Sequence, residues 1–426
     1  DELKHRGSWG TIGDQSVPNN LYIPTINGAF TNWINSNSRV YQFGATTISP
    51  APTGYGTPLA VSQSVTWQDI TTLDVGVDAR IFNGALGISF DWFRRDTENM
   101  IVPQEGIPVT FGSQAPQSNF GSLRTKGIEI QLDYTHQFDN GLRLNFIGTF
   151  ADAKTKITKF GSTKGIGTVA IPSWYVGRTY GEIWVYETER LYQTDDFVYD
   201  GDGNLVTVTT EDGVIINQLS DANGATQAEL QAGNFRFGPG DVKFKDLNGD
   251  GLINDGNRLT DDHGDLKIIG NSTPRFEYSF RINADYKGID FGIFFQGIGR
   301  REVWGDGFLA IPGYNSADGA MPQAFAGDFW REDRPGAFYP RPYNQAGSNT
   351  TLNMQPQTKY LLNMAYLRIK NITIGYTLPQ SLAEKVRLTK VRVYGSLENF
   401  FTFDHLGDLP IDPEEVSGYS MWNETN

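Results

Sequence analysis

The chain has no cysteine in 426 residues, so neither disulfides nor thiolate-ligated metals hold it together. Histidine is scarce too: His5, His136, His263 and His405 are scattered, which leaves little for a histidine-based catalyst. Positive charge is outnumbered, with 35 lysines and arginines against 49 acidic residues and a net charge of −14. Such a surface repels the phosphates of nucleic acid, so no nucleic-acid partner is expected. No run of about 18 apolar residues occurs, which excludes a transmembrane helix but not a membrane barrel. "GYGTP" and "GIGTV" have the glycines of a phosphate loop without its lysine or helix. The many carboxylates would permit a glycosidase pair, but sequence does not give their separation.

What the chain has in quantity is glycine, 48 residues, and aromatic side chains, 13%, while charged residues fall to 20%. That mixture suits extended β-structure with many turns. Period-2 alternation dominates, most clearly in "FEYSFRINADY" at 276–286. There Phe276, Tyr278, Phe280, Ile282, Ala284 and Tyr286 take one face, and Glu277, Ser279, Arg281, Asn283 and Asp285 the other. The pattern recurs in "IEIQLDYTHQF" at 128–138, at 73–81 and at 86–92. Runs of about 9 to 11 residues with aromatic ends match tilted strands crossing a bilayer. Strands are expected near 3–13, 67–82, 85–95, 122–138, 142–154, 176–187, 275–286, 289–298, 365–377 and 388–402.

The connections fall into two classes. "FNGA" at 82–85, "DNG" at 139–141 and "KG" at 287–288 are tight hairpins, whereas 100–121, 188–273, 299–363 and 403 onward are long. Outer-membrane barrels sort their loops in this way, with short periplasmic turns and long outside loops. Strand parity then demands another rising strand between 188 and 274, for which 240–246 is the candidate and 205–216 the alternative.

Two stretches carry candidate binding residues. "FKDLNGDGLINDG" at 244–256 matches the first half of an EF-hand calcium loop, which wants oxygen ligands at positions 1, 3 and 5 and glycine at 6. Asp246, Asn248, Asp250 and the Leu252 carbonyl would hold calcium, with Asn257 at the twelfth position, where the loop normally has a bidentate glutamate. Asp255, Asp261 or Asp262 would then complete the shell; a plain acidic turn is the other reading. "DFWREDRPGAFYPRPYN" at 328–344 sets Trp330 and Tyr339 beside Arg331, Arg334 and Arg341, groups that stack on sugar rings and bridge carboxylates or hydroxyls. It reads as a ligand- or lid-contacting surface, or as a loop folded on its own aromatics. His136 is expected to pack on an apolar strand face, and His263 to lie in a solvated acidic turn or beside a metal.

Several stretches, in this order along the chain, resemble the SusC-like TonB-dependent transporters (SusC/RagA family) of Bacteroidetes outer membranes. They are "FDWFRRDTENMIVP", "APQSNFGSLRTKGIEIQLDY", "GDVKFKDLNGDGLIND" with "IIGNSTPRFEYSFRINADYKGIDFGIFFQGIG", "YLRIKNITIGYTLP" and "VRVYGSLENFFTF". The resemblance implies an all-β fold, the C-terminal portion of a 22-stranded antiparallel transmembrane barrel with long extracellular loops. It also implies a plug and TonB box before residue 1 and a closing strand after residue 426, so both ends are expected to be cut. The implied activity is TonB-driven import, without covalent chemistry, of glycans or oligopeptides beneath a SusD-like lipoprotein lid. The rival expectation is a soluble, secreted calcium-binding β-protein, such as a glycan hydrolase or adhesin module.

Overall fold

Nine long strands take up the alternating stretches and pair with one another in chain order. They are β1 (Glu2–Asp14), β2 (Gln68–Ile81), β3 (Leu86–Pro103), β4 (Gln117–Gln137), β5 (Arg143–Lys159), β6 (Arg275–Tyr286), β7 (Ile289–Arg300), β8 (Tyr366–Thr377) and β9 (Arg392–Phe403). Every neighbouring pair is antiparallel. The computed structural model describes residues 1–14, 23, 41–42, 54–55, 65–103, 110, 116–161, 165–166, 174–231, 235–305, 310–311, 323, 327–343 and 353–414. The terminal stretch at 417–426 and much of the long connections at 100–121 and 299–363 lie outside those residues, as does most of "GYGTP" and "GIGTV".

The tight turns form as their residues require. Lys287 and Gly288 both take left-handed backbone, φ 48° and 88°, as do Asn83 and Gly84 at 54° and 83°. That twist lets a two-residue link continue the right-handed twist of its strands. All tight turns fall at one end of the sheet, joined there by 378–391 with its short helix Gln380–Ala383. The connections 15–67, 104–116, 160–274 and 301–365 leave from the other end.

Register shows why the alternation matters. Cross-strand partners share a face, and Leu3, Ala79, Ile88, Leu132, Gly148, Phe280, Phe295, Ile369 and Phe401 form one row across all nine strands. The next residue along each strand makes another row, Lys4, Asp78, Ser89, Gln131, Thr149, Ser279, Gln296, Arg368 and Thr402. One row has no polar side chain and the other no apolar one. The polar face is the concave one: Ser89, Asp91, Glu129, Gln131, Thr149, Glu277, Ser279 and Gln296 line a hollow of about 510 Å³, whose lining also includes Phe294 and Ile298 of that face and Ile130, Phe150 and Tyr278 of the other. Apolar outside and polar inside is the pattern of a barrel wall in lipid. No helix is long and apolar enough to cross a membrane among the described residues. A soluble secreted protein would have to leave that whole apolar face in water.

Strands β3, β4 and β5 are longer than expected, at 18, 21 and 17 residues. The alternation continues past the apolar band as charge, with Arg94, Asp96, Arg124 and Lys126 on the outer face, so the ladder runs on above the bilayer.

Residues 176–187, expected as a barrel strand, are not one. Only Glu182–Tyr186 is extended, and all five of its residues are buried, whereas a wall strand would bury neither face completely. It pairs with Leu266–Asn271 inside the 160–274 connection. The supposed extra rising strand is therefore unnecessary. Val242–Phe244, within 240–246, pairs with Thr188–Leu191, and Thr207–Thr209 pairs with Ile215–Asn217. The chain leaves the top of β5, folds a cap and returns at the top of β6, so strand direction alternates without a further crossing. Glu302–Trp304 and Leu361–Asn363 add one more short pair from the 301–365 connection.

Candidate functional site: the lumen wall and its cap

On the wall's concave face, ion pairs reach across an intervening strand. Arg6 on β1 holds Asp78 on β2 at 2.7 Å and Asp91 on β3 at 2.9 Å. It reaches β3 because Gly76 lies between: a Cβ there would fall 2.1 Å from Asp91 Oδ1 and 3.1 Å from Arg6 Nη2. The device recurs at Gly87, over which Arg80 bonds Asp133 at 2.6 Å. Near the outer end, Arg368 is buried among Asp412 at 2.6 Å, Glu414 at 2.8 Å and the Thr402 hydroxyl at 2.6 Å. Glu277 faces the hollow, and the Arg281 guanidinium lies 5.0 Å from the Phe294 ring centroid on that face. Asp285 shares this face through its partner Asp290, which Arg392 holds at 2.5 Å. Fixed ion pairs lie beside a hollow whose lining carries the carboxylates of Asp91, Glu129 and Glu277, a surface that can hold a polar solute by hydrogen bonds.

The cap has what the wall lacks, a dry interior. One cluster joins Trp184, Tyr186, Leu191, Val242, Phe244, Ile253, Leu266 and Trp330; a second joins Trp304, Ile311, Tyr339, Tyr360 and Met364. Asp241 lies between the two long connections and is fully buried. Its carboxylate accepts from the Gly238 N–H at 2.7 Å, Asn353 Nδ2 at 2.6 Å and the Tyr343 hydroxyl at 2.8 Å. Burial pushes this carboxyl up to about 6 against the pull of those donors. Lys359 packs its ammonium 4.0 Å from the Phe338 ring centroid, and burial brings it down to about 8.

The aromatic and arginine residues of 328–344 divide. Trp330 and Tyr339 are only 4% and 7% exposed and belong to the two cap clusters. Trp330 donates its indole N–H to Gln193 and lies over Gly240. These two aromatics thus fold the loop on itself, and no sugar face can reach them in this arrangement. Arg331 and Arg334 are exposed, with Arg331 3.0 Å from Asp333, and Arg341 lies 5.8 Å over the Tyr343 ring.

The Asp-Asn-Asp loop sits on the cap. Asp246 accepts from the N–H groups of Gly249 at 2.6 Å and Gly251 at 3.0 Å. Asn248 Oδ1 accepts from the Asp250 N–H at 3.0 Å, and Asp250 Oδ1 from the Leu252 N–H at 2.8 Å. Gly249 and Gly251 take φ 79° and 82°, the left-handed turns expected there. Ile253 plugs the loop into the cap's core, and fully buried Asp265 ties its two ends by accepting from Leu247 and Asn254 N–H. Asn257 turns to Asp262 and Asp255 to Arg258, so neither Asp255 nor Asp262 stands free to complete a shell. Among the described residues no three acidic or histidine side chains converge as a metal cluster. His263 packs on Trp184 with ring centroids 5.3 Å apart, and His136 sits on the outer apolar face between Tyr134 and Phe138.

Sequence reasoning missed the buried Asp241–Tyr343–Asn353 knot, in which Asp241 lies 102 and 112 residues from its two partners. It also missed the glycine-bridged ion pairs, although a glycine on the polar side of an alternating strand was a visible cue.

A nine-stranded antiparallel wall, apolar outside and polar inside with a folded cap at its long-loop end, has the architecture of an outer-membrane β-barrel wall. The chain belongs to the TonB dependent receptor-like, beta-barrel family, which matches residues 1–400. It is 26% identical to TonB-dependent receptor P3 of Formosa agariphila over 83% of this chain and 31% of that protein. It is 23% identical to the TonB-dependent receptor SusC of Bacteroides thetaiotaomicron over 98% of this chain and 36% of that one. The chain thus spans about a third of the length of the curated relatives it matches. A solved structure of the RagAB peptide transporter superposes with a TM-score of 0.64 at 18% identity, covering 98% of this chain and 39% of that one. The protein is therefore an outer-membrane β-barrel protein of the TonB-dependent receptor family.

Proposed function

We propose that the chain forms the C-terminal wall and outer cap of a TonB-dependent importer that takes up oligomeric nutrients. The observation that carries this reading is the hollow of about 510 Å³ on the polar face, lined by the carboxylates of Asp91, Glu129 and Glu277, in a wall whose long-loop end carries a cap with its own core. A solute held there is bound and released without covalent change. TonB would act through a plug supplied by the rest of the protein, and a SusD-like lipoprotein would close over the cap. Glycans are the proposed cargo; oligopeptides are the second reading, favoured by the likeness to the peptide transporter RagAB. Exposed Arg331, Arg334 and Phe338 are the proposed contacts to lid or ligand.

The test is to purify the full-length transporter with its lid lipoprotein and measure binding of defined oligosaccharides and oligopeptides. Saturable binding of one class, lost with the lid, supports import. Binding of neither class, together with unaltered uptake in a strain lacking the transporter, contradicts it.

We also propose that calcium braces the loop through Asp246, Asn248, Asp250 and the Leu252 carbonyl, a hard-oxygen set suited to that ion. Asn257 is the weak ligand position. Chelation should loosen residues 244–257 in hydrogen exchange and leave the nine strands protected; an unchanged loop, or collapse of the wall, would contradict the brace.

A further inference from the structure

The outer face of the wall carries a second pattern above its apolar band. On β4 that band runs from Ile128 to Phe138, about 33 Å along the strand, or roughly 25 Å of height at a tilt near 40°. This is the full depth of an outer-membrane hydrocarbon layer, so the next outward residue, Lys126, stands at head-group level. Register sets Leu73, Arg94, Lys126 and Lys154 side by side there, with Trp92 and Ile128 directly below. The row above holds Asp96, Arg124 and Lys156.

Charge within the patch does not balance. Asp96 is shared by Arg94 at 2.7 Å and Arg124 at 2.5 Å, and Asp152 is taken by Arg275. Lys126, Lys154 and Lys156 are exposed and have no ion pair among the described residues. Lys126 and Lys154 are direct cross-strand partners, and like charges so placed repel unless an anion lies between them. This unbalanced positive patch belongs to a chain whose net charge is −14.

We propose that the outward face of β3–β5 at this level binds the phosphate-bearing head group of an outer-leaflet glycolipid, with Lys126, Lys154 and Lys156 as its cationic contacts. The acyl chains would lie below on Trp92, Ile128, Phe90 and Ile130, which continue the same face. A phosphate meets several lysines on adjacent strands about 4.8 Å apart, a spacing that two phosphate oxygens can bridge. Bound lipid would anchor the height of the wall in the membrane. The inference depends on the outer-membrane location and not on the transport reading.

The test uses the full-length transporter in detergent, titrated with bisphosphorylated lipid A, with the same lipid after phosphatase treatment, and with inorganic phosphate, and read by native mass spectrometry. Wild type should retain lipid A, and Lys126→Gln/Lys154→Gln/Lys156→Gln should lose at least tenfold in retention. The Lys→Arg triple should keep it, as should Lys385→Gln/Lys390→Gln at the opposite end of the wall. Should the glutamine triple fail to fold, each single Lys→Gln change should still lower retention severalfold. Equal retention of dephosphorylated lipid, no loss in the glutamine variants, or saturation by inorganic phosphate that blocks lipid A would each overturn the proposal.

Discussion

The wall and the cap are built from one chain by opposite means. In the wall, no large side chain of the nine strands is fully buried. Its order comes from backbone ladders, from glycine-bridged ion pairs and, outside, from lipid. The cap has short strands of three to six residues, yet among the described residues it holds every fully buried large side chain, Phe244, Ile253, Ile311, Met364 and Gln357 included. Its order comes from dry packing and buried hydrogen bonds. A wall that must stay straight through lipid needs repetition; a cap built of short strands outside that repeat needs a core.

Core truncation should separate the two most strongly. Phe244→Ala removes a fully buried ring packed on Tyr186, with centroids 5.2 Å apart. The cap should lose about 3–5 kcal/mol while the nine strands keep their amide protection. Equal loss of protection in both regions would erase the distinction. Acidity gives the next largest effect. Asp241 titrates near 6 in the folded cap, above its ordinary value, so the native state binds the proton more tightly. Its stabilising contribution is full below about pH 4 and is lost as pH rises to about 6, a change on the order of 2–3 kcal/mol. Amide exchange of the cap against pH should show that slope, and Asp241→Asn should flatten it; a persistent slope would place the proton elsewhere.

The wall has its own breaking point. Gly76→Ala puts a methyl between Arg6 and Asp91, which should raise exchange in β1–β3 and leave the cap as it was. The smallest effect is expected from Arg331→Ala. Its partner Asp333 is 68% exposed, and solvent screening holds the loss of stability within about 0.5 kcal/mol. A large stability loss there would mean that Arg331 supports the cap's fold.

The wall was legible because its period of two is an inescapable consequence of facing lipid on one side and water on the other. Strands such as 276–286 state both faces in eleven consecutive residues. The cap was not, because Glu182–Tyr186 is buried on both faces and shows no alternation. Its Trp184 and Tyr186 imitated an interface girdle and drew 176–187 into the wall. Likewise the sequence located the Asp-Asn-Asp loop but not its support, since Asp265 and Thr226, the groups that tie it down, lie outside the loop motif on either side of it. The arginine and aromatic cluster at 328–344 was found as a cluster. Its split into buried Trp330 and Tyr339 and exposed Arg331 and Arg334 depended on contacts with Gly240 and Tyr360 that no local pattern encodes.

The most direct test of the wall exploits the missing cysteines. Single cysteines introduced in turn at 277–285 and spin-labelled in outer membranes should report strict alternation. Positions 278, 280, 282 and 284 should be reached by dissolved oxygen from the lipid, and 277, 279, 281, 283 and 285 by a water-soluble nickel chelate. Uniform access by the chelate along the whole strand would show that β6 does not face lipid and would contradict the membrane wall itself.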